Sequence, residues 1–194
     1  KFWVNNQDNG LEDFKKLLPL KHQLKKLDTD EEELKNLAPI KEFTALESLR
    51  LTTTSTEIAQ SILSLNALKK LWLYIYVDSE PETPLLFDLK ALQNIEGLLL
   101  SSSSRLQLNG IEQLSQIERL WLECNCQVEG LDKLKKLKYL TLDNDLDINK
   151  IPGINSLQIL ELSTKGTDEI HSLEKFPNLE KLRIDARSKI NLGK

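Results

Sequence analysis

The sequence predicts an α/β fold of short stacked turns, a solenoid whose strands form one parallel sheet. Three observations carry that expectation. The first is a phrase, Leu-x-x-Leu-x-Leu, recurring at Leu46…Leu49…Leu51, Leu68…Leu71…Leu73, Ile95…Leu98…Leu100 and Ile117…Leu120…Leu122. It continues at Leu137…Leu140…Leu142, Leu157…Leu160…Leu162 and Leu179…Leu182…Ile184. A weaker copy occupies Leu24…Leu27…Thr29, and Phe2-Trp3-Val4 fits the second half of another. The second observation is the spacing of successive starts from Leu24, which is 22, 22, 27, 22, 20, 20 and 22 residues, a period typical of stacked repeats. The third is the Ser, Thr, Asn, Asp and Pro clusters between copies, which interrupt the steady three-four spacing one long helix would need.

Each phrase reads as a strand because side chains alternate between the two faces of a sheet. The second and third leucines, two residues apart, point the same way, and the residue between them points the other way. One such unit cannot bury its leucines alone, so the units stack and share a continuous apolar core. A repeat of 20–22 residues leaves little room on the return path beyond one helical turn. Short α or 3-10 pieces are expected there, with Ile58–Leu65 the best helix candidate.

The phrase, its period and the cadence Gly130-Leu-Asp-Lys-Leu-Lys-Lys-Leu-Lys-Tyr-Leu-Thr-Leu142 resemble the leucine-rich repeat family, with internalin-like or phosphatase-regulator-like repeats. The resemblance covers nearly the whole chain. It implies a curved horseshoe with the parallel sheet on the concave face and short helices, 3-10 turns or loops on the convex face. The chain departs from the family at the position eight residues after the first leucine, usually Asn. That position holds Thr54, Tyr76, Ser103, Asn125, Asp145, Lys165 and Arg187. The side-chain ladder that joins turns is therefore expected to be broken, and the turns irregular.

Several stretches stand outside the repeat. Leu11, Phe14, Leu17 and Leu18 have helical spacing, halted by Pro19. The run from Asp30 to Glu33 reads as a solvated turn. The longest repeat has its excess in Asp78–Pro84, a loop carrying three carboxylates and two prolines, either a surface insertion or an acidic contact beside a binding face. Cys124 and Cys126 read as two unpaired thiols in the turn after a strand, and the two histidines, His22 and His171, lie too far along the chain to complete a metal site. Ser101–Ser104 reads as a solvated turn. The 194 residues read as a single domain of about eight to nine repeats, a piece of a longer protein.

Composition narrows the function. A formal net charge of −4 lacks the basic footprint of a nucleic-acid binder. No apolar run reaches the ~18–20 residues that span a bilayer. No signal peptide or Asn-x-Ser/Thr acceptor is visible, which with the two thiols leans towards the cytoplasm. No phosphate-binding glycine loop, His-Glu-x-x-His or Gly-x-Ser-x-Gly occurs, so the chain is expected to be non-catalytic and to need no cofactor or metal.

The outward strand positions carry the candidate function. The middle column holds Trp3, Asp28, Arg50, Trp72, Leu99, Trp121, Thr141, Glu161 and Arg183, and so all three tryptophans of the chain. The flank before it holds Lys26, Ser48, Lys70, Gly97, Arg119, Tyr139, Ile159 and Lys181; the flank after it includes Thr52, Tyr74, Ser101, Glu123, Asp143, Ser163 and Asp185. Outward Trp, Tyr and Arg are the residues that dominate protein interfaces. The expectation is a protein-binding scaffold anchored by Trp72, Tyr74, Trp121 and Tyr139, with Lys70, Arg119, Glu123 and Asp143 as rim charges. The alternatives are carbohydrate stacked on the indoles, or a sensor segment of a larger receptor or enzyme. The competing structural account packs the same rings against cross-strand neighbours.

Overall fold

A computed structural model describes residues 17–29, 38–77, 81–143, 148–164 and 173–186. Its strands are β1 (Lys26–Thr29), β2 (Ser48–Thr53), β3 (Lys70–Ile75), β4 (Leu85–Asp88), β5 (Gly97–Ser102) and β6 (Leu106–Asn109). After them come β7 (Arg119–Glu123), β8 (Cys126–Gln127), β9 (Tyr139–Asp143), β10 (Ile159–Thr164) and β11 (Lys181–Ala186). Eight of these form an α/β-class parallel sheet in the order β1-β2-β3-β5-β7-β9-β10-β11, so strands neighbour one another in chain order. Paired strands are offset by 22, 22, 27, 22, 20, 20 and 22 residues, the same series as the leucine phrases.

The alternation works as the phrase dictates. Leu49, Leu71, Leu98, Leu120, Leu140 and Leu160 stand in register and are fully buried, as are Leu51, Leu73, Leu100, Leu122 and Leu142 two residues on. Each fully buried leucine side chain contributes about 1.5–3 kcal/mol relative to exposure, so this double row is the main cohesive element. The first leucine of each phrase closes the turn before the strand. There the chain repeats one device: a single carbonyl accepts the N–H groups of two consecutive residues in the next turn. Lys25 O does so for Glu47 and Ser48, Glu47 O for Lys69 and Lys70, Lys69 O for Glu96 and Gly97, and Glu96 O for Glu118 and Arg119.

The return paths differ from the expectation in one respect. A second parallel sheet, β4-β6-β8, lies among them, with Leu85, Leu106 and Cys126 in register. Its strands are only two to four residues long, but they alternate: Leu106 and Leu108 are buried, Gln107 and Asn109 exposed. Phe87 is fully buried against the leucines of the main sheet in one shared core. Elsewhere the return is helical as expected. Helix α1 (Thr56–Ile62) starts at Ser55, whose hydroxyl accepts from the Ile58 N–H at 3.3 Å, and buries Ile58, Ala59 and Ile62. Single 3-10 turns occupy Ile111–Gln113, Leu131–Lys133, Ile148–Lys150 and Leu173–Lys175. Gly110 and Gly130, at φ 80° and 81°, cap the first two of these in a left-handed conformation that other residues enter at a cost.

Pro19 sits within a 3-10 turn, Leu18–Leu20. The rest of the helix expected there, the run Asp30–Glu33, His171, Asp145, Lys165 and Arg187 lie outside the described residues, as does the greater part of the Asp78–Pro84 loop's acidic half. The extra length of that repeat is nonetheless located. β3 and β5 are offset by 27 residues while β4 and β6 are offset by 21, which confines the excess to the chain between Ile75 and Leu85.

The expected break in the side-chain ladder is only half right. At the position eight after the first leucine, Ser103 Oγ accepts from the Val77 N–H of the preceding turn at 3.1 Å, whereas Tyr76 is half exposed and Asn125 exposed. The ladder reappears at another place, the residue just before the first leucine. Asn94 Nδ2 donates to Asn66 O at 3.0 Å, Ser156 Oγ to Leu134 O at 3.3 Å and Asn178 Nδ2 to Asn155 O at 2.7 Å. A short polar side chain there can reach the turn one layer back.

Ser101–Ser104 is not a solvated turn. Ser101 and Ser102 finish β5, Ser102 Oγ accepts from the Ser104 N–H at 3.1 Å, and Ser104 is buried. Cys124 and Cys126 are buried and not disulfide-bonded, with Cys126 opening β8 rather than lying in a turn. Its hydrogen bond and burial push the Cys124 thiol up, away from the reactive thiolate.

Candidate binding face

Register fixes which outward side chains are neighbours. Across the main sheet Asp28, Arg50, Trp72, Leu99, Trp121, Thr141, Glu161 and Arg183 form one row, the middle column read from the sequence. Trp72 and Trp121 flank Leu99 two strands apart, hence about 10 Å along the sheet. Both indoles are half-buried, and neither ring N–H has a protein partner among the described residues. Trp3, in the same sequence column, lies outside the described residues.

Among the described residues, two grooves on this face stand out. The first, about 200 Å³, is lined by Lys70, Trp72, Glu96, Gly97, Glu118, Arg119 and Trp121. Gly97 stands in register between Lys70 and Arg119, and the lack of a side chain there makes the notch. The second, about 210 Å³, is lined by Glu123, Thr141, Asp143, Glu161, Ser163, Arg183 and Asp185, with Leu142 and Leu162 beneath.

The expected anchors and rim charges are thus divided. Lys70, Trp72, Arg119 and Trp121 meet in the first groove; Glu123 and Asp143 belong to the second. Tyr139 and Tyr74 line neither, and cations lie over their rings. The Arg119 guanidinium is 4.7 Å from the Tyr139 ring centroid, and the Arg50 guanidinium 5.6 Å from that of Tyr74. At an exposed site such stacking contributes about 0.5–1 kcal/mol. Arg50 also lies 3.8 Å from Asp28, beyond hydrogen-bonding reach but close enough to attract. The tyrosines therefore brace the arginines as much as they offer surface.

Charges before the strands form a second row, Lys25, Glu47, Lys69, Glu96, Glu118 and Lys138. Glu47 bridges Lys25 at 3.1 Å and Lys69 at 2.9 Å, and Glu118 pairs with Lys138 at 3.2 Å. Hydrogen bonding to Lys69 and then Lys25 holds the Glu47 carboxyl below its usual range. The Glu47 hydrogen bond, with a smaller contribution from the charge of Glu96, holds the Lys69 ammonium above its own. Lys70 and Arg119 are exposed, and among the described residues neither carries an ion pair.

The sequence reading missed Gly97, Glu96 and Glu118. A signal for Gly97 was present, since it is the one residue without a side chain in the flank that precedes the middle column. Glu96 and Glu118 fall inside the leucine phrase but just before the strands, so the outward strand columns do not include them. The described residues hold no group of three or more His, Cys, Asp or Glu placed to bind a metal ion. Among them no helix is long and apolar enough to cross a membrane. His22 is exposed, its Nδ1 3.1 Å from Thr44 Oγ1 in the neighbouring turn.

No protein-family model matches the chain, and no curated protein matches it either.

Proposed function

We propose that the chain is a leucine-rich repeat solenoid that recognises a protein partner through the outward face of its main sheet, the concave face of a horseshoe, without catalysis. One observation carries the reading: Trp72 and Trp121 stand in a single register row, half-buried beside an open groove. Large aromatic rings left partly in water on a rigid surface favour a partner that covers them, and Trp and Arg are over-represented among residues whose truncation costs most binding energy. At about 200 Å³ each groove is smaller than the ~300–1,000 Å³ of sites that enclose a small-molecule ligand. Such a recess fits individual side chains of a larger partner. Rim charges then set register and exclude wrong partners.

The test replaces both indoles by alanine. Neither ring belongs to the leucine core, so Trp72→Ala with Trp121→Ala leaves unfolding cooperative while abolishing partner capture. Unchanged capture removes the outward face from the mechanism. Saturable, Trp-dependent binding on a glycan array would transfer the face to carbohydrate recognition.

A further inference from the structure

Gly97 opens β5 at an outward position in the middle of the eight-stranded sheet, where glycine is a poor choice: it loses more conformational freedom on folding and packs nothing. The fold does not demand it. Its backbone is not left-handed, and a Cβ built there meets only Lys70 Cγ, at 3.9 Å, an ordinary contact. Gly110 and Gly130 differ, since both have positive φ and a Cβ at Gly110 would lie 2.7 Å from Lys90 Cγ and 3.1 Å from Lys90 N. A strand glycine without a structural reason marks a place where something else comes close to the backbone.

The surroundings say what. On either side in register stand Lys70 and Arg119, two exposed cations without an ion pair among the described residues. Of the two carboxylates at the lip, Glu118 is paired with Lys138 at 3.2 Å, which leaves Glu96 as the one lip carboxylate without an ion pair among the described residues, against the two cations. We propose that the Gly97 notch receives the carboxylate of an Asp or Glu from an extended partner segment, held between Lys70 and Arg119, while adjoining apolar side chains of that segment lie on Trp72 and Trp121. The proposal rests on the protein-binding reading of this face. The groove lining, two cations against two carboxylates, carries no net formal charge, which suits a single carboxylate reaching between the cations and gives a dianion no excess of positive charge to bind.

The test pans the immobilised protein against acetylated, amidated heptapeptides with random flanks and a central Glu, Gln, Lys or phosphoserine. The Glu pool is retained about tenfold over the Gln pool and more over the Lys pool. Gly97→Val, which fills the notch, removes the preference at an unchanged unfolding midpoint. Lys70→Gln with Arg119→Gln, both exposed side chains, carries the same test should the valine variant fail to fold. Equal retention of Glu and Gln pools overturns the proposal. So does a stronger phosphoserine or Lys pool, or a folded Gly97→Val that keeps the preference. Retention of all pools alike that is lost in the Trp72→Ala, Trp121→Ala variant overturns only the carboxylate and leaves the binding face. Absence of any Trp-dependent retention overturns both.

Discussion

The groove at Gly97 and the groove at Thr141 lie on the same parallel sheet, two strands apart, with nearly equal volumes of about 200 and 210 Å³. The first has indoles for walls, an empty position at its centre and two cations without an ion pair among the described residues. The second has no aromatic ring; Glu123, Asp143, Glu161 and Asp185 face it, against Arg183. One row of inward leucines runs through the strands of both, Leu98 and Leu120 in those of the first and Leu140 and Leu160 in those of the second, all fully buried. The difference teaches how labour is divided in this chain. Inward positions are held to leucine by burial, whereas outward positions change in size and charge from strand to strand.

The largest expected effect tests the shared part. Leu98→Ala and Leu140→Ala should each lower stability by about 2–5 kcal/mol in denaturant unfolding, since either leaves a cavity in a filled core. A large loss at one site and none at the other would break the claim of a common support. Next come the glycines. Gly110→Ala forces a side chain into the left-handed region and should cost about 1–2 kcal/mol. Gly97→Ala should be neutral or stabilise by up to about 1 kcal/mol. Equal losses would mean that the notch is structural. Smaller still, Arg119→Ala should cost about 0.5–1 kcal/mol through the lost Tyr139 stack, a contact that no residue of the second groove makes.

The smallest effect concerns pH. The Glu47 carboxyl is held below its usual range by Lys69 and Lys25, so its charged form is favoured by folding. Its contribution is present above the ordinary carboxylate pKa and is lost as pH falls through the depressed folded value. The melting midpoint of Glu47→Gln should therefore fall less steeply on acidification than that of the native chain. An identical acid limb would show that the row before the strands does not couple to folding.

The main sheet was legible because burial enforces it. Every leucine phrase from Leu46 onward became a strand in the expected register, and the row containing Arg50, Trp72, Leu99 and Trp121 followed from period-2 alternation alone. The β4-β6-β8 sheet was not legible in the same way. Leu106-Gln-Leu-Asn109 alternates, but a strand of four residues or of two cannot be separated by pattern from a turn with one or two apolar side chains. The ladder of Asn94, Ser156 and Asn178 was not legible, because the repeat pattern places its Asn eight residues after the first leucine and not one before it. A hydrogen bond between turns needs only a short polar side chain within reach of a carbonyl one layer away, and more than one place in the turn meets that condition. The tyrosine–arginine stacks were hidden for another reason. Sequence gives the column of Tyr139 and Arg119 but not whether a ring face stays free or is covered by a neighbouring strand's cation.

The claim that the face bearing Trp72 and Trp121 is the contact surface can be tested in the cells that make the protein. Photo-activatable p-benzoylphenylalanine would replace Leu99, between the indoles, or Leu86, half exposed on the second sheet. Covalent adducts from position 99, absent when Trp72 and Trp121 are alanine, are the predicted result. Adducts from position 86 with none from position 99 would contradict it.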